Sequence, residues 1–483
     1  MTLATETLGL EGARLAARVR QALYHVPVAD LAQAFQQMQD GAGARHVDYF
    51  MDGTVHTIRV FPCPITLLPE QVEHVHRVVR TLHDALARMP ELYLADPAIR
   101  GILRLEPEED AWLRECWTPA VRARNPVFDR LDALVDYTSP VWKDTLKFIE
   151  PNLTGIGGLY LVPCVEEVVS EAIVPLIMQQ DRGLRIDRLT DARELLVREI
   201  RTHLAAIGRP SGRVCFVEPK YELDGIDEQR RLLEYLREHH GMEALHADPS
   251  ELRMQDGEVT CEGVRVDLIY RDYSVLDLVE LQSDGVDVTP MRTLFRQNRV
   301  ISSIGGELDH KSCWEILTDP EIAGRYFDHE ACRCFERHVL WTRVLSDRRT
   351  TLPTGESGDL LEFARRNHEA LVLKPSRGYG GDGVLIGQTA GAAEWERALE
   401  TALADEELWV VQRLGHMPVL EVPTLAADGT LKPELYYHVM GYASDPDGLA
   451  ILARASQREV VNVAQRGGMA AVMVAQFIST DHA

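Results

Sequence analysis

The segment Leu371-Val372-Leu373-Lys374-Pro375-Ser376-Arg377-Gly378-Tyr379-Gly380-Gly381-Asp382-Gly383-Val384-Leu385-Ile386 places a lysine at the end of one apolar run and four glycines before the next. Glycines carry no side chain to hold a ligand away, so the backbone N–H groups of such a loop can turn toward phosphate oxygens at close range. Lys374 adds a point charge on the same oxygens. Ser376, Gly378, Gly380, Gly381 and Gly383 are therefore candidate phosphate contacts together with Lys374. The lysine precedes the glycines, which excludes the G-x-x-x-x-G-K-[ST] loop. An apparent strand rather than a helix follows, which excludes a dinucleotide-binding turn. A hairpin whose tip folds over a nucleotide fits what remains; loop composition alone describes an ordinary glycine-rich hairpin as well.

A second group is Lys147-Phe148-Ile149-Glu150-Pro151-Asn152, at the end of an expected strand. Alternate residues of a strand share a face, so Glu150 and Asn152 point the same way if the extended geometry runs through Pro151. A carboxylate and an amide oxygen are hard donors that suit Mg²⁺ and leave positions for phosphate oxygens and water. Asp136, on the preceding strand, is the expected further ligand, with Asp132 as the competing choice. A turn rich in glycine follows at Thr154-Gly155-Ile156-Gly157-Gly158, as where backbone approaches a ligand closely.

Two further segments fit around a nucleotide. Leu408-Trp409-Val410-Val411-Gln412 reads as a strand at the rear of a purine pocket, with Gln412 at the hinge. Near the C-terminus, Arg454 and Ser456 alternate on one strand face and Asn462 precedes a glycine pair, Gly467-Gly468. The planar fork of Arg454 suits a transferring phosphoryl group or a carboxylate; a solvated surface arginine is the plainer account.

The elements that must position these residues follow from periodicity. The first ~125 residues read mostly as helices, such as Glu70 to Met89 and Glu108 to Trp117, punctuated by Pro62, Pro64, Pro90 and Pro97. Strands are expected over Ala133 to Tyr137 and Leu146 to Ile149, then helices from Val165 to about Ala206. Val214 to Val217 (strand), Ile226 to His240 (helix capped by Gly241), Val259 and Val264 to Tyr270 (strands about Gly263) form a βαβ-like alternation, hence a small α/β unit reaching about residue 300. Strand Val300 to Ser303, helix Lys311 to Leu317 and a long α+β region complete the chain. The expected units are 1–125, 126–205, 206–300 and 301–483, closely packed with a ligand between them.

Composition narrows the function classes. With 75 acidic residues against 51 Lys and Arg, the formal net charge is −24, which disfavours nucleic acid as a partner. No run approaches about 18 apolar residues, so no membrane span is expected. Met1 to Leu31 has the spacing of an amphipathic helix rather than a secretory signal. The eight cysteines are scattered, with neither a disulfide ladder nor a zinc spacing, which points to a reduced cytoplasm.

Taken together, these residues resemble the circularly permuted branch of the ATP-grasp family, whose members include glutathionylspermidine synthase. Leu373-Lys374-Pro375 with its glycines resembles the family's mobile phosphate lid, Gln412 its adenine hinge, and Glu150-x-Asn152 its metal strand. Glu150 precedes Lys374, the order of the permuted branch. Val266 to Arg271 resembles the segment closing that branch's small preliminary domain. Asp309-His310-Lys311 resembles its first nucleotide lysine, so Lys311 and Lys374 are implied as the ATP lysines. Arg130-x-Asp132 matches the branch's Arg-x-Asp but sets Asp132 some way from Glu150; no Cys-His amidase domain is present. The resemblance covers roughly residues 130 to 470.

It implies an α+β, α/β fold of ATP-grasp type and an ADP-forming ligase that uses ATP and Mg²⁺. The implied chemistry phosphorylates a carboxylate to an acylphosphate, which an amine converts to an amide, with Lys374 and Arg454 as catalytic residues. Implied substrates are small molecules, an amino acid or short peptide in specialised-metabolite or peptide synthesis. A kinase-like enzyme without amide formation, and a nucleotide-binding scaffold without catalysis, are the alternatives; a homo-oligomer is left open.

Overall fold

A computed structural model of the chain describes residues 3–478 apart from 52, 222–224, 379–380, 427–428 and 459–466; the side chains of 3–9 are also undescribed. Its largest sheet has eight strands. Along the main path they run Arg59–Leu67, Gly468–Phe477, Gly448–Ser456, Leu431–Asp445, Arg130–Leu134 and Lys147–Asn152. Val419–Leu425 pairs with the outer part of Leu431–Asp445, and Leu184–Arg188 pairs with Gly468–Phe477. Gly468–Phe477 is apolar at nearly every position because both its faces are covered, Ala470 and Val472 by one hydrophobic core and Met469, Ala471, Met473 and Ala475 by another.

Two smaller sheets stand beside it. One is fully parallel, in the order Val300–Ile301, Leu268–Arg271, Val214–Val217, Ala244–Ala247. The helix Glu228–His240 supplies one of its crossovers and ends at Gly241, as its spacing predicts. The other is antiparallel, in the order Thr342–Val344, Trp409–Arg413, Leu371–Pro375, Leu385–Ile386. Helices Leu360–Arg366 and Ala392–Ala404 cover this sheet around the buried Trp395, whose indole N–H donates to the Ala364 carbonyl.

Three expectations need correction. The first ~125 residues are not a purely helical unit, since Asp48–Met51 and Thr54–Thr57 form a hairpin and Arg59–Leu67 joins the main sheet. Pro62 and Pro64 lie within that last strand; it sits at the end of the strand order and pairs on one side, where missing N–H groups are tolerated. Within the expected helices of Val165 to Ala206 lies the strand Leu184–Arg188, whose inward Leu184 and Ile186 alternate with outward Arg185 and Asp187. The third concerns the hairpin at the site. Its first strand is Arg130–Leu134 rather than Ala133 to Tyr137, and a bulge between Asp132 and Ala133 sets Asp132 opposite Glu150.

Gly441 shows how the main sheet makes room for that pair. It lies opposite Asp132, and a Cβ there would come within 2.7 Å of the Arg130 Cδ and of Asp132 Oδ1, so only glycine lets the two side chains lie over the strand.

Candidate functional site

A cavity of about 680 Å³ opens among the three sheets. Glu150, Asn152, Asp132, Lys374, Gln412 and Arg454, from segments far apart in the chain, all line it. An apolar wall of Leu134, Leu340, Val372, Ile386, Met417 and Val439 completes one side, suited in size and character to a purine ring.

The strand Lys147–Asn152 and the root of the glycine loop meet directly. Lys374 Nζ donates to the Ile149 carbonyl at 3.0 Å. Lys311 bridges the two segments: its ammonium lies 3.1 Å from Glu150 Oε1 and donates to the Gly378 carbonyl at 2.6 Å. The Lys311 backbone N–H donates to the Ser376 carbonyl at 2.9 Å, and Ser376 Oγ accepts from the Ser312 N–H at 3.3 Å. Ser376 is thus buried in the loop's foundation rather than on the cavity wall. Gly381 lines the cavity, Gly383 packs near Pro375 and Trp409, and Gly380 lies outside the described residues.

Two lysines this close to one another and to Glu150 make the site electrostatically tense. Burial pushes the Lys374 pKa down to about 8; Glu150 opposes the shift and Lys311 adds to it. Burial likewise raises Asp309 to about 7, against the Leu153 N–H, which donates to its Oδ2 at 2.8 Å. The Thr154 backbone opposes the rise as well, and Asp309 lines the cavity close enough to Glu150 for that carboxylate to add to it.

On the neighbouring strand, Arg130 Nε and Nη2 donate to the two Asp132 carboxylate oxygens at 2.9 and 3.2 Å. Arg454 Nη2 reaches Asp132 Oδ2 at 2.5 Å. Burial raises the Asp132 pKa, but the two guanidinium groups outweigh it and hold the carboxyl below its usual range. Arg454 Nε is buried with no partner among the described residues. The Arg454 guanidinium lines the cavity and is anchored on one side by Asp132, which leaves its positive charge available to an anion in the cavity.

Two assignments made from the sequence move. Asp136 does not line the cavity; its carboxylate accepts from the Thr138 N–H and hydroxyl in a local turn, and Asp132 takes the position opposite Glu150. Gln412 lines the cavity, but its backbone is not a free hinge. The Ser376–Leu408 and Leu414–Ala370 hydrogen bonds bracket the ladder, so its alternation commits the Gln412 N–H and C=O to Val372. The Gln412 side-chain amide instead donates to Thr342 Oγ1 at 2.8 Å and to the Ile149 carbonyl at 3.3 Å. The chain just beyond it, Arg413 to Gly415 and Met417, continues the cavity wall. Ser456 is buried and accepts from the Arg458 N–H at 3.1 Å, while Asn462 lies outside the described residues.

Sequence reasoning missed Arg377, which lines the cavity at the loop's root and forms a two-pronged ion pair with the buried Glu109. It also missed Asp309 as a wall residue, although Asp309 stands two places before Lys311 in the segment singled out for that lysine. Asp272, at the end of the parallel strand Leu268–Arg271, had no local signal at all.

No family model matches the chain. A stretch covering 45% of it is 30% identical over 238 residues to an uncharacterised protein of Mycobacterium tuberculosis, and 29% identical over 238 residues to one of Mycobacterium leprae. The match spans 39% and 38% of those two proteins' lengths. Among solved structures, a glutathione synthetase-like effector from Globodera pallida aligns over 92% of this chain and 97% of its own, with a TM-score of 0.56 and 11% identity. A RimK domain ATP-grasp protein from Sphaerobacter thermophilus aligns over 50% of this chain and 89% of its own, with a TM-score of 0.25 and 14% identity. Among the described residues no helix is long and apolar enough to cross a membrane. With the near full-length structural match and the three sheets around one cavity, the chain has the mixed α+β ATP-grasp fold.

Proposed function

We propose that this protein is an ATP-dependent ligase that activates a carboxylate as an acylphosphate and joins it to an amine. The observation that carries this reading is the convergence of Lys311, Lys374, Glu150 and the half-paired Arg454 on one cavity. The order of Glu150 before Lys374 supports the permuted arrangement of the fold.

ATP would lie with its purine against the apolar wall and its phosphates between Lys311, Lys374 and the glycine loop. The donor set fits Mg²⁺. Glu150 has Oε2 available beyond the Lys311 pair, Asn152 uses its amide N–H on the Arg130 carbonyl and so keeps Oδ1, and Asp309 lines the same wall beside them. Asp132 fits less well as a ligand, because both its oxygens are taken by arginines. Bound there, the ion would neutralise phosphate charge during transfer.

Arg454, held by Asp132, would orient the substrate carboxylate or the transferring phosphoryl group through its guanidinium charge. The carboxylate oxygen attacks the γ-phosphorus and ADP leaves; the amine nitrogen then attacks the acyl carbon, and inorganic phosphate leaves with formation of the amide. Closure of the glycine loop would keep water from the acylphosphate. Localisation in the cytoplasm and small-molecule substrates, an amino acid or peptide among them, belong to the same reading.

The test is an ADP-release screen of pooled carboxylates and amines with mass spectrometry of the products. Amine-dependent ADP formation with a new amide supports the ligase. Phosphorylated product without any amine requirement would replace it with a kinase, and undiminished turnover in Lys374→Ala and Glu150→Ala would remove the site.

A further inference from the structure

The glycine loop is fastened at its root from a part of the chain that the family resemblance does not reach. Arg377 stands immediately before the first glycine of the loop and lines the cavity. Its guanidinium lies across the Glu109 carboxylate: Nη1 donates to Oε2 at 2.8 Å, and Nη2 donates to Oε1. Glu109 belongs to the helix Pro107–Cys116, well before residue 130, and its side chain is fully buried. From the same segment Arg104 donates to the Glu406 carbonyl, while the Glu407 carboxylate accepts the Arg377 N–H at 3.3 Å. The Ser376 N–H donates to the Leu408 carbonyl at 2.7 Å, so Arg104 and Glu109 grip the two stretches of chain that meet at the foot of the loop.

The helix that carries Glu109 does not depend on this contact for its place. Leu113 and Cys116 are fully buried in the core, and Trp112 meets Phe295 edge-on with ring centroids 5.9 Å apart. The loop has the opposite character: Gly378, Gly381 and Gly383 have φ of 97°, 81° and 68°, a backbone that only glycine adopts at little cost. A fixed anchor is thus joined to a compliant loop by a charged, two-pronged contact, the kind that sets orientation as well as distance. Lys311 is a second charged hold, through the Gly378 carbonyl at 2.6 Å. On the ligase reading its ammonium is drawn to the phosphates when nucleotide binds, which leaves the Glu109 pair to keep the root in place.

We infer that Glu109 is a positioning residue of the nucleotide lid, holding the Arg377 guanidinium so that the loop's root stays beside Lys311 and Lys374 for Mg·ATP. The nucleotide in this statement rests on the ligase reading above; the fastening of the loop does not. The experiment uses the full chain as wild type, Glu109→Gln, Arg377→Gln and the double variant. It reads amide hydrogen exchange by mass spectrometry without nucleotide, and Mg·ATP affinity by calorimetry. In Glu109→Gln the amide oxygen can still cap the helix at the Glu106 N–H, which Glu109 accepts at 2.9 Å, but the amide NH₂ then faces the guanidinium. Exchange in the peptide carrying Ser376, Arg377 and Gly378 should quicken about tenfold or more, with the helix Pro107–Cys116 unchanged. Mg·ATP affinity should fall about tenfold. On the Arg377→Gln background, adding Glu109→Gln should cost no further affinity, because both changes remove one contact. Unchanged exchange at the loop's root, unchanged affinity, or a loss of equal size in both backgrounds (the mark of a helix cap alone) overturns the inference. Should a glutamine variant fail to fold, Arg377→Lys keeps a charge on Glu109 without the two-pronged geometry; it should show both effects at about threefold or more, and neither effect overturns the inference. A wild type that binds no Mg·ATP sinks the ligase reading; quickened exchange in Glu109→Gln would then still assign the fastening, and unchanged exchange would sink both.

Discussion

Lys374 is the residue whose removal separates stability from function. Its pKa falls from the usual value near 10.4 to about 8 because its ammonium is buried beside Lys311. At ~1.36 kcal/mol for each tenfold change in the proton equilibrium, keeping this lysine charged in the folded apo protein costs about 3 kcal/mol at neutral pH. Methionine fills a similar volume without the charge. Lys374→Met should therefore stabilise the metal-free, nucleotide-free chain by up to about 3 kcal/mol at pH 7. With an unfolding entropy near 2.1 cal/mol/K per residue, that corresponds to a rise of about 3 °C for 483 residues. Between about pH 8 and 10.4 the unfolded chain holds more of this proton than the folded one, so wild-type stability rises with pH in that window. The advantage of the variant should shrink to below about 1 kcal/mol at pH 10. The assay is thermal unfolding in EDTA at pH 7 and pH 10, alongside Mg·ATP titration, in which the variant should lose about tenfold or more in affinity. A variant less stable than wild type at pH 7, with a gap that does not change with pH, would refute the reasoning.

Glu150→Gln should fold, leave the buried Lys311 without its ion pair, and lower ADP release by about 100-fold, since on the proposed reading a charged phosphate-site partner and a metal oxygen donor are lost together; steady-state rates across Mg²⁺ concentrations check this. Arg454→Lys keeps the charge but loses the planar fork that anchors it on the buried Asp132, so kcat should fall about tenfold or more while the chain still folds, with a modest loss of thermal stability. Four histidines, His74 at about 3 and His203, His338 and His438 at about 4, are held neutral by burial. Below pH 6.5 the unfolded chain takes up protons that the folded one refuses, so the unfolding free energy from urea titrations should drop steeply from pH 6.5 to 5, by up to about 1.4 kcal/mol per pH unit for each histidine.

The residues that read clearly from the sequence are those whose spacing carries a geometric demand. Glu150 and Asn152 share a strand face, and a lysine followed by glycines has few other uses; all reach one cavity. Asp136 was misplaced because the apolar run Ala133-Leu134-Val135 looks like the strand's centre, whereas the ladder begins at Arg130 and bulges after Asp132. Gln412 was legible as a cavity residue, but whether its backbone is free depends on the parity of a ladder formed with Val372, forty positions away. Arg59–Leu67 was hidden by two prolines that an edge position excuses. Arg377 with Glu109, and Asp272 with Gln229, are tertiary encounters; nothing within either local segment announces the other.

Structure determination of the chain with a non-hydrolysable ATP analogue and Mg²⁺ addresses the core of this account most directly. The phosphates should lie against Lys311 and Lys374, with the metal on Glu150 and Asn152 and the purine on the wall of Val372, Ile386 and Met417. A nucleotide bound on any other surface, or none bound at saturating concentration, would contradict it.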